Sequence, residues 1–272
     1  MIPADLGAIV GTPVQFVELK VRPGRRRTLR AAGPRMTAIV KAYASDRAPV
    51  VARRLMALAA GPGEPLVPRV LLSDPEHRLI VLTDMPGPPF REAVAAAELE
   101  ECRRAGRAIG VWHAAWTGRA PFVLDPHTAQ RELDILHQRA DSASFGVADA
   151  VRQAAVGLAA DWLCSTVVHR DLYEEQILMG EHVSLIDLDD VAVGPPELDV
   201  GNLLAHLELF SISHGLSTTR QAQALLAGYT AASPGLDPVL LGRCRSLSLL
   251  RLACLNDDPR LVDLALGDGV TA

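Results

Sequence analysis

HRDLYEEQILM, residues 169–179, sets histidine, arginine and aspartate side by side, an amide five positions after the aspartate, and then an apolar run. A second short apolar piece, VSLID at 183–187, ends on another aspartate. QILM and VSLID read as two short strands, with a loop before the first and a loop after the second. Paired as a hairpin, they bring Asp171, Gln176 and Asp187 to one mouth. STVVH, just upstream, is a third β-like piece.

Two carboxylates and an amide in this order match what transfer of a phosphoryl group to a hydroxyl demands. That reaction depends on positioning and charge neutralisation more than on covalent chemistry. One carboxylate orients the acceptor hydroxyl and takes its proton; oxygen ligands hold magnesium against the phosphates. Protein kinases use H-R-D-x-x-x-x-N for these parts and a later aspartate for the metal. Here His169, Arg170 and Asp171 keep that order, and Gln176 stands in the asparagine position. Glutamine retains the amide oxygen and adds one methylene, so it reaches farther. It either binds magnesium or hydrogen-bonds the loop.

The segment 167–207 resembles the aminoglycoside phosphotransferase and choline kinase family, the small-molecule branch of the protein-kinase-like fold. The matching features are HRDLYEEQ, the IDLDD turn and the tail GPPELDVGNLLAHL. The resemblance implies an α+β, bilobal fold, with a small β-rich N-lobe and a larger, mostly helical C-lobe. It implies ATP and Mg2+ as cofactors and a small-molecule hydroxyl acceptor. Asp171 would be the catalytic base, Asp187 the principal metal ligand with Gln176 beside it, and Asp199 a structural acid. His169 would anchor the catalytic loop. Asp189 and Asp190 either serve a second metal or face solvent, Asp189 being the candidate ligand. Glu174 and Glu175 read as exposed loop acids.

Upstream, QFVELKV alternates Val17, Leu19 and Val21 with polar residues, a period of two. RPGR and Gly33-Pro34 are turn signals around a second strand at 26–31, and MTAIVKAY is a third. Lys41 in AIVKAY resembles the kinase lysine that contacts the nucleotide phosphates. Strand alternation puts Ile39, Lys41 and Tyr43 on one face; Lys41 meets phosphate there, or guards a sheet edge. RPGRRR stands where kinases place a glycine-rich loop. Guanidinium groups would then cover the phosphates. Arg25 is the candidate contact, although alternation keeps Arg25, Arg26 and Arg27 from all pointing inward.

A helix is expected over 49–60, where Val51, Leu55, Leu58 and Ala59 share a face before the stop at GPG. It carries Arg53 and Arg54 but no glutamate to pair with Lys41, and Glu64 lies beyond the GPG. RVLLSD and RLIVLTD are two more strands, and Thr83, Asp84 and Met85 resemble the hinge that binds adenine through backbone groups. The proline-rich stretch 85–89 divides the chain into a nucleotide-binding lobe (1–85) and a catalytic and substrate lobe (86–272). Residues 91–116 are alanine-rich and helical, with His113 between Trp112 and Trp116 on a buried face. Val147, Val151, Ala154, Leu158 and Trp162 mark a helix over 147–163. Val200, Leu203, Leu204, Leu207 and Phe210 mark another, and 218–266 is again helical.

The chain has 272 residues, 49% of them hydrophobic, enough for one large domain or two lobes. A net charge of −5 gives no reason to expect nucleic acid. Four scattered cysteines without a CxxC pair argue against zinc or disulfides and for a reducing cytoplasm. No signal peptide or bilayer-spanning run is evident, so no membrane is expected. Charge is segregated: residues 1–45 hold eight Lys or Arg against Asp5 and Glu18, and residues 165–200 hold nine Asp or Glu against Arg170. That split reads either as loop composition and solvated faces or as phosphates held at the first region and metal at the second.

No GxxxxGK[ST], no Rossmann GxGxxG and no HExxH occurs. The expectation is therefore an ATP- and Mg2+-dependent phosphotransferase acting on a small molecule, aminoglycoside-like or another metabolite. The alternative is a nucleotide-binding regulatory pseudokinase, suggested by the missing helix glutamate. A protein kinase is disfavoured because no APE segment or long activation loop follows Asp187. The acids of the catalytic loop allow a cationic acceptor, while 4% aromatics count against a choline cage. Oligomeric state is not legible.

Overall fold

The computed structural model describes residues 5–59, 65–156, 158, 161–233 and 235–267. The GPG stop and Glu64 lie outside the described residues. The small lobe is a five-stranded antiparallel sheet of β1 (Gln15–Arg22), β2 (Arg26–Ala32), β3 (Thr37–Tyr43), β4 (Val70–Asp74) and β5 (Leu79–Thr83), in the order β1-β2-β3-β5-β4. Short turns join β1 to β2 and β2 to β3, and the register pairs Arg22 with Arg26 around Gly24. Two helices cover the sheet. A short α1 (Leu6–Val10), which the sequence pattern did not suggest, packs its Leu6 and Val10 with Ala38, Val40 and Val81. On the other face, α2 (Ala48–Leu58) buries Val51, Leu55 and Leu58 with Tyr43, Ile80 and Leu82. Ala59, expected on that face, is exposed. Strand alternation thus splits β3 cleanly, with Ala38 and Val40 toward α1 and Ile39, Lys41 and Tyr43 toward the cleft.

β5 ends at Thr83, and α3 (Phe90–Ala95) opens the larger lobe. The connector between them presses on the hairpin of β7 (Ile177–Met179) and β8 (Val183–Leu185). Gly87, at φ +113°, comes so close to Gly180 that an added Cβ would sit 2.4 Å from its backbone nitrogen. Met179 N donates to Pro88 O at 2.8 Å.

The alanine-rich region 91–116 is two helices, α3 and α4 (Leu99–Trp116), broken at Ala97 by a left-handed φ of 54°. Trp112, His113 and Trp116 are buried on α4 as the sequence pattern implied. α5 (Ala129–Ala140) and α6 (Phe145–Ala155) follow. α6 is shorter than expected: Trp162 lies well past its end, donating its indole N–H to His127 O at 2.7 Å. Strand β6 (Thr166–Val168) pairs with β9 (Ala192–Gly194), a strand too short to show a period in the sequence. α7 (Pro196–His214), α8 (Thr219–Thr230), α9 (Pro238–Asn256) and α10 (Arg260–Gly267) complete the lobe. α4 and α8 touch backbone to backbone: a Cβ on Gly228 would sit 1.9 Å from Arg103 O. One apolar cluster runs from Tyr43 and Ile80 through Phe90 and Trp112 to Leu203 and Tyr229, so the lobes share a core. No helix among the described residues is long and apolar enough to cross a membrane.

Candidate active site

The catalytic-loop motif is held from behind. Asp199, near the start of α7 and wholly buried, accepts the backbone N–H of His169 at 2.6 Å and of Arg170 at 2.7 Å. Burial pushes its carboxyl up, but the His113 hydrogen bond and the charges of His113 and His169 win, so it stays below the ordinary range. His169 Nε2 meets Ile186 O at 2.8 Å, tying the loop to the strand that leads into Asp187. Asn202 Nδ2 donates to Leu172 O at 2.8 Å. These bonds pin the backbone on both sides of Asp171, whose side chain stays 40% exposed and faces the cleft between the lobes.

Asp187 follows β8 in a left-handed conformation, φ 61° and ψ 39°, strained for a residue with a Cβ. The kink turns its carboxylate back toward the small lobe. Lys41 Nζ lies 2.6 Å from Asp187 Oδ1 and 2.6 Å from Asp189 Oδ1. Arg26 straddles Asp187, Nη1 to Oδ1 at 2.7 Å and Nη2 to Oδ2 at 2.9 Å, and it also reaches Asp189. Tyr43 donates its hydroxyl to Asp189 Oδ2 at 2.9 Å. Burial alone would raise the Asp187 pKa, but the charges of Lys41 and Arg26 and their hydrogen bonds depress it far below the usual range. Burial lowers the Arg26 pKa less than its carboxylate contacts raise it, so the guanidinium is firmly charged. Next along the chain, Arg47 pairs with Asp190 at 2.7 Å. Lobe-to-lobe charge pairing thus joins the basic first forty-seven residues to the acidic turn.

Two cavities flank this ion cluster. The first, about 420 Å3, lies under the sheet and runs to the connector. Ile39, Leu82 and Met85 give it an apolar wall, and Lys41, Gln176 and Asp187 close its inner end. Arg26, Thr28 and Arg30 all face it, because alternate residues of β2 share a face. The second, about 400 Å3, lies on the far side and includes Asp171, Asp189 and Asp190. Arg26 lines both. Hard oxygen donors meet at the partition: the carboxylates of Asp187 and Asp189, with the Gln176 amide on the adjoining wall. Among the described residues no three His, Cys, Asp or Glu side chains form a closed metal cage. Two carboxylates and an amide suit a small hard cation that completes its shell with water or substrate oxygens.

A model of the phosphotransferase enzyme family, known as APH, matches residues 25–239. The chain belongs to that family. Solved structures agree on the fold. A choline kinase from Cryptosporidium parvum superposes with a TM-score of 0.68 at 10% identity, covering 94% of this chain and 87% of that one. A choline/ethanolamine kinase family protein from Mesorhizobium loti gives 0.65 at 19% identity, covering 97% and 91%. A spectinomycin phosphotransferase in complex with ADP and spectinomycin gives 0.61 at 12% identity, covering 95% and 84%. A search of curated proteins finds no match. Protein-kinase-like architecture, with a sheet lobe and a helical lobe, is therefore the fold of this phosphotransferase-family chain.

Within that frame the residues singled out from sequence fall on both sides of the partition. Lys41, Asp84, Met85, Gln176 and Asp187 line the first cavity; Arg25, Asp171 and Asp189 line the second. Arg25 is exposed at the β1–β2 turn and is absent from the first cavity's lining, where Arg26 stands instead, one residue on. Asp84 pairs with Arg30 at 2.8 Å. Asp189 is buried against Lys41 and Arg26, whereas Asp190 is half-exposed and pairs with Arg47 at the surface. Glu174 is not an exposed acid: it is buried, and burial raises its pKa, while Glu175 is exposed and pairs with Arg91. Sequence reading missed Tyr43 as a carboxylate partner, and it missed Arg139 on α5 and Arg251 on α9, which line the second cavity. Ile135, Gln138 and Arg139 of α5, at i, i+3 and i+4, all reach that cavity, but their spacing alone does not distinguish a cavity-facing stripe from a solvent-facing one.

Proposed function

We propose that this chain transfers the terminal phosphoryl group of ATP to a hydroxyl of a small molecule, with Mg2+ bound by Asp187, Asp189 and Gln176. The observation that carries the reading is the pair of cavities meeting at one ion cluster, with Asp171 on one side and Lys41 and Gln176 on the other. ATP fits the first cavity, its base against Ile39, Leu82 and the backbone at Asp84 and Met85, its phosphates toward Lys41 and Arg26. The acceptor fits the second. Its hydroxyl oxygen attacks the terminal phosphorus, the bond to ADP breaks, and the hydroxyl proton passes to the Asp171 carboxylate. Bound magnesium supplies charge neutralisation for the phosphate oxygens. Lys41 and Arg26 hold the phosphates, and Asp199 keeps the catalytic loop in register through His169 and Arg170.

Residues 1–85 would form the nucleotide lobe and 86–272 the catalytic lobe. Free cysteines at 102, 164, 244 and 254 suit a reducing cytoplasm. Lys41 lacks a helix glutamate but has two aspartates within 2.6 Å, and this favours an active enzyme over a silent nucleotide binder.

The test is release of ADP from ATP and Mg2+ over a panel of hydroxyl compounds, for wild type and Asp171→Asn. The expected loss is about 10^2- to 10^4-fold in kcat, with nucleotide affinity unchanged. Wild-type turnover by the asparagine variant would remove Asp171 as the base.

A further inference from the structure

We infer that the acceptor is an anionic alcohol, carrying a phosphate or carboxylate group that an arginine basin beside Asp171 holds. The inference rests on the proposed phosphotransferase reading and concerns only its acceptor side. The second cavity brings together seven arginines and three aspartates from both lobes. Most of the acids are already spent on neighbours. Asp189 faces Lys41 and Arg26, and Asp190 faces Arg47. Arg170 lies against Asp190 O at 3.3 Å. Among the lining residues, what remains is Arg22, Arg25, Arg139 and Arg251 against Asp171; Arg251, which also donates to Asn202 Oδ1 and lies near the buried Glu132, makes the nearest approach, Nη2 to Asp171 Oδ1 at 3.9 Å.

Among the described residues, the side chains of Arg22, Arg25 and Arg139 have no acid within ion-pair distance. They are also near one another. Burial, then the charges of Arg25 and Arg251, pull the Arg139 guanidinium below its ordinary value; Asp171 pulls the other way, and Arg22 adds to the lowering. Like charges gathered from β1, its turn, α5 and α9 repel in the free protein, and a bound anion relieves that repulsion. Guanidinium forks suit carboxylate and phosphate oxygens, which they meet in parallel pairs. A cationic acceptor would have to enter against this field. Of the acids around the catalytic loop, Asp187, Asp189 and Asp190 pair with small-lobe cations, Glu175 pairs with Arg91 of the large lobe, Glu174 is buried, and Asp171 lies among arginines.

Nucleotide phosphates do not account for the basin. Their place in the first cavity has Lys41 and Arg26, whereas Arg139 and Arg251 belong to helices of the large lobe and line only the second cavity.

The experiment is calorimetric titration of the full chain, with ADP and Mg2+ saturating, by four three- to five-carbon alcohols: glycerol 3-phosphate, glycerate, glycerol and choline. We expect at least one of the two anions to bind ten-fold or more tightly than glycerol and choline. Which anion wins distinguishes a phosphate from a carboxylate acceptor. Arg139→Ala and Arg22→Ala, in different lobes, should each weaken that anion ten-fold or more, with Arg139→Lys in between and ADP affinity unchanged. Choline binding as tightly as the anions, failure of both anions to bind, or anion binding indifferent to both alanine variants would overturn the inference. So would a parallel ten-fold loss of ADP affinity, which would give the arginines to the nucleotide. Arginine-dependent anion binding without phosphoryl transfer to any hydroxyl compound would leave the basin standing and sink the phosphotransferase reading instead. Transfer confined to cationic acceptors would do the reverse.

Discussion

The two cavities are nearly equal in volume and opposite in character. The first is walled by Ile39, Leu82 and Met85 and suits a flat, largely uncharged group that backbone atoms recognise. The second is walled by arginines from four elements and suits a small charged one. Between them stands a single partition, Arg26 and Lys41 from the sheet against Asp187 and Asp189 from the large lobe. Such a division teaches where selectivity resides. On the proposed reading the first cavity would recognise a nucleotide by backbone and shape, and the second would select its acceptor by charge.

Substituting the partition and substituting one wall should therefore differ most. Asp187→Asn removes one of the two aspartates that Lys41 and Arg26 share, all four side chains being largely buried. Removing one member of a buried ion cluster leaves uncompensated charge and costs about 3 kcal/mol or more of stability. Activity should fall by roughly 10^3-fold or more, about 4 kcal/mol in the barrier. Asp171, 40% exposed and with no close ion pair, should lose activity as asparagine while its melting temperature stays within about a degree or two of wild type. Thermal melts and kcat for both variants decide this; equal destabilisation by the two would erase the distinction between partition and wall.

Arg26→Ala tests whether the partition serves both sides. Because Arg26 lines both cavities, its loss should raise KM for nucleotide and for acceptor together, each by about ten-fold, or 1.4 kcal/mol. Asp84→Ala, confined to the first cavity, should move the nucleotide KM alone. A change in only one KM on removing Arg26 would assign the residue to that side.

Much of this was legible in the sequence because it is local. A period of two marked β1, turn signals bounded β2 and β3, and alternation along β3 put Ile39, Lys41 and Tyr43 on one face. The HRD and IDLDD motifs marked the large-lobe acids because their spacing along the chain is short. What stayed hidden was pairing across distance. Asp187 and Arg26 lie 161 positions apart, and nothing in either segment names the other. Alternation limited which of Arg25, Arg26 and Arg27 turn inward, but the phase depends on where the turn at Gly24 ends and β2 begins. Arg139 and Arg251 were equally unreadable: on an amphipathic helix an arginine looks the same facing solvent or facing a basin. Glu174 was misjudged for the same reason, since a loop acid carries no sign of the helix that covers it.

Glu174 offers the smallest and sharpest check, because it lies on the loop that runs from Asp171 in one cavity to Gln176 in the other. Its Oε2 is buried without a hydrogen-bond partner, 3.9 Å from His206 Nδ1. His206 stacks on Tyr173, and burial, then Arg251, lowers its pKa to about 4, so it is neutral at pH 7 and offers no charge. Burial raises the Glu174 pKa above the ordinary 4.5. A carboxyl with a raised folded-state pKa favours the native state most when protonated. Its contribution is full below the unfolded value and is lost as pH rises through the folded one. Glu174→Gln, which mimics the protonated form, should therefore stabilise the protein by on the order of 1 kcal/mol at pH 7.5. The gain should vanish below about pH 4.5, where the native residue is protonated in both states. Melts of the two proteins across that range read the effect directly. Because Glu174 lines neither cavity, both KM values should hold. A shift in the acceptor KM alone would mean that the loop, and not only the arginines, tunes the second cavity.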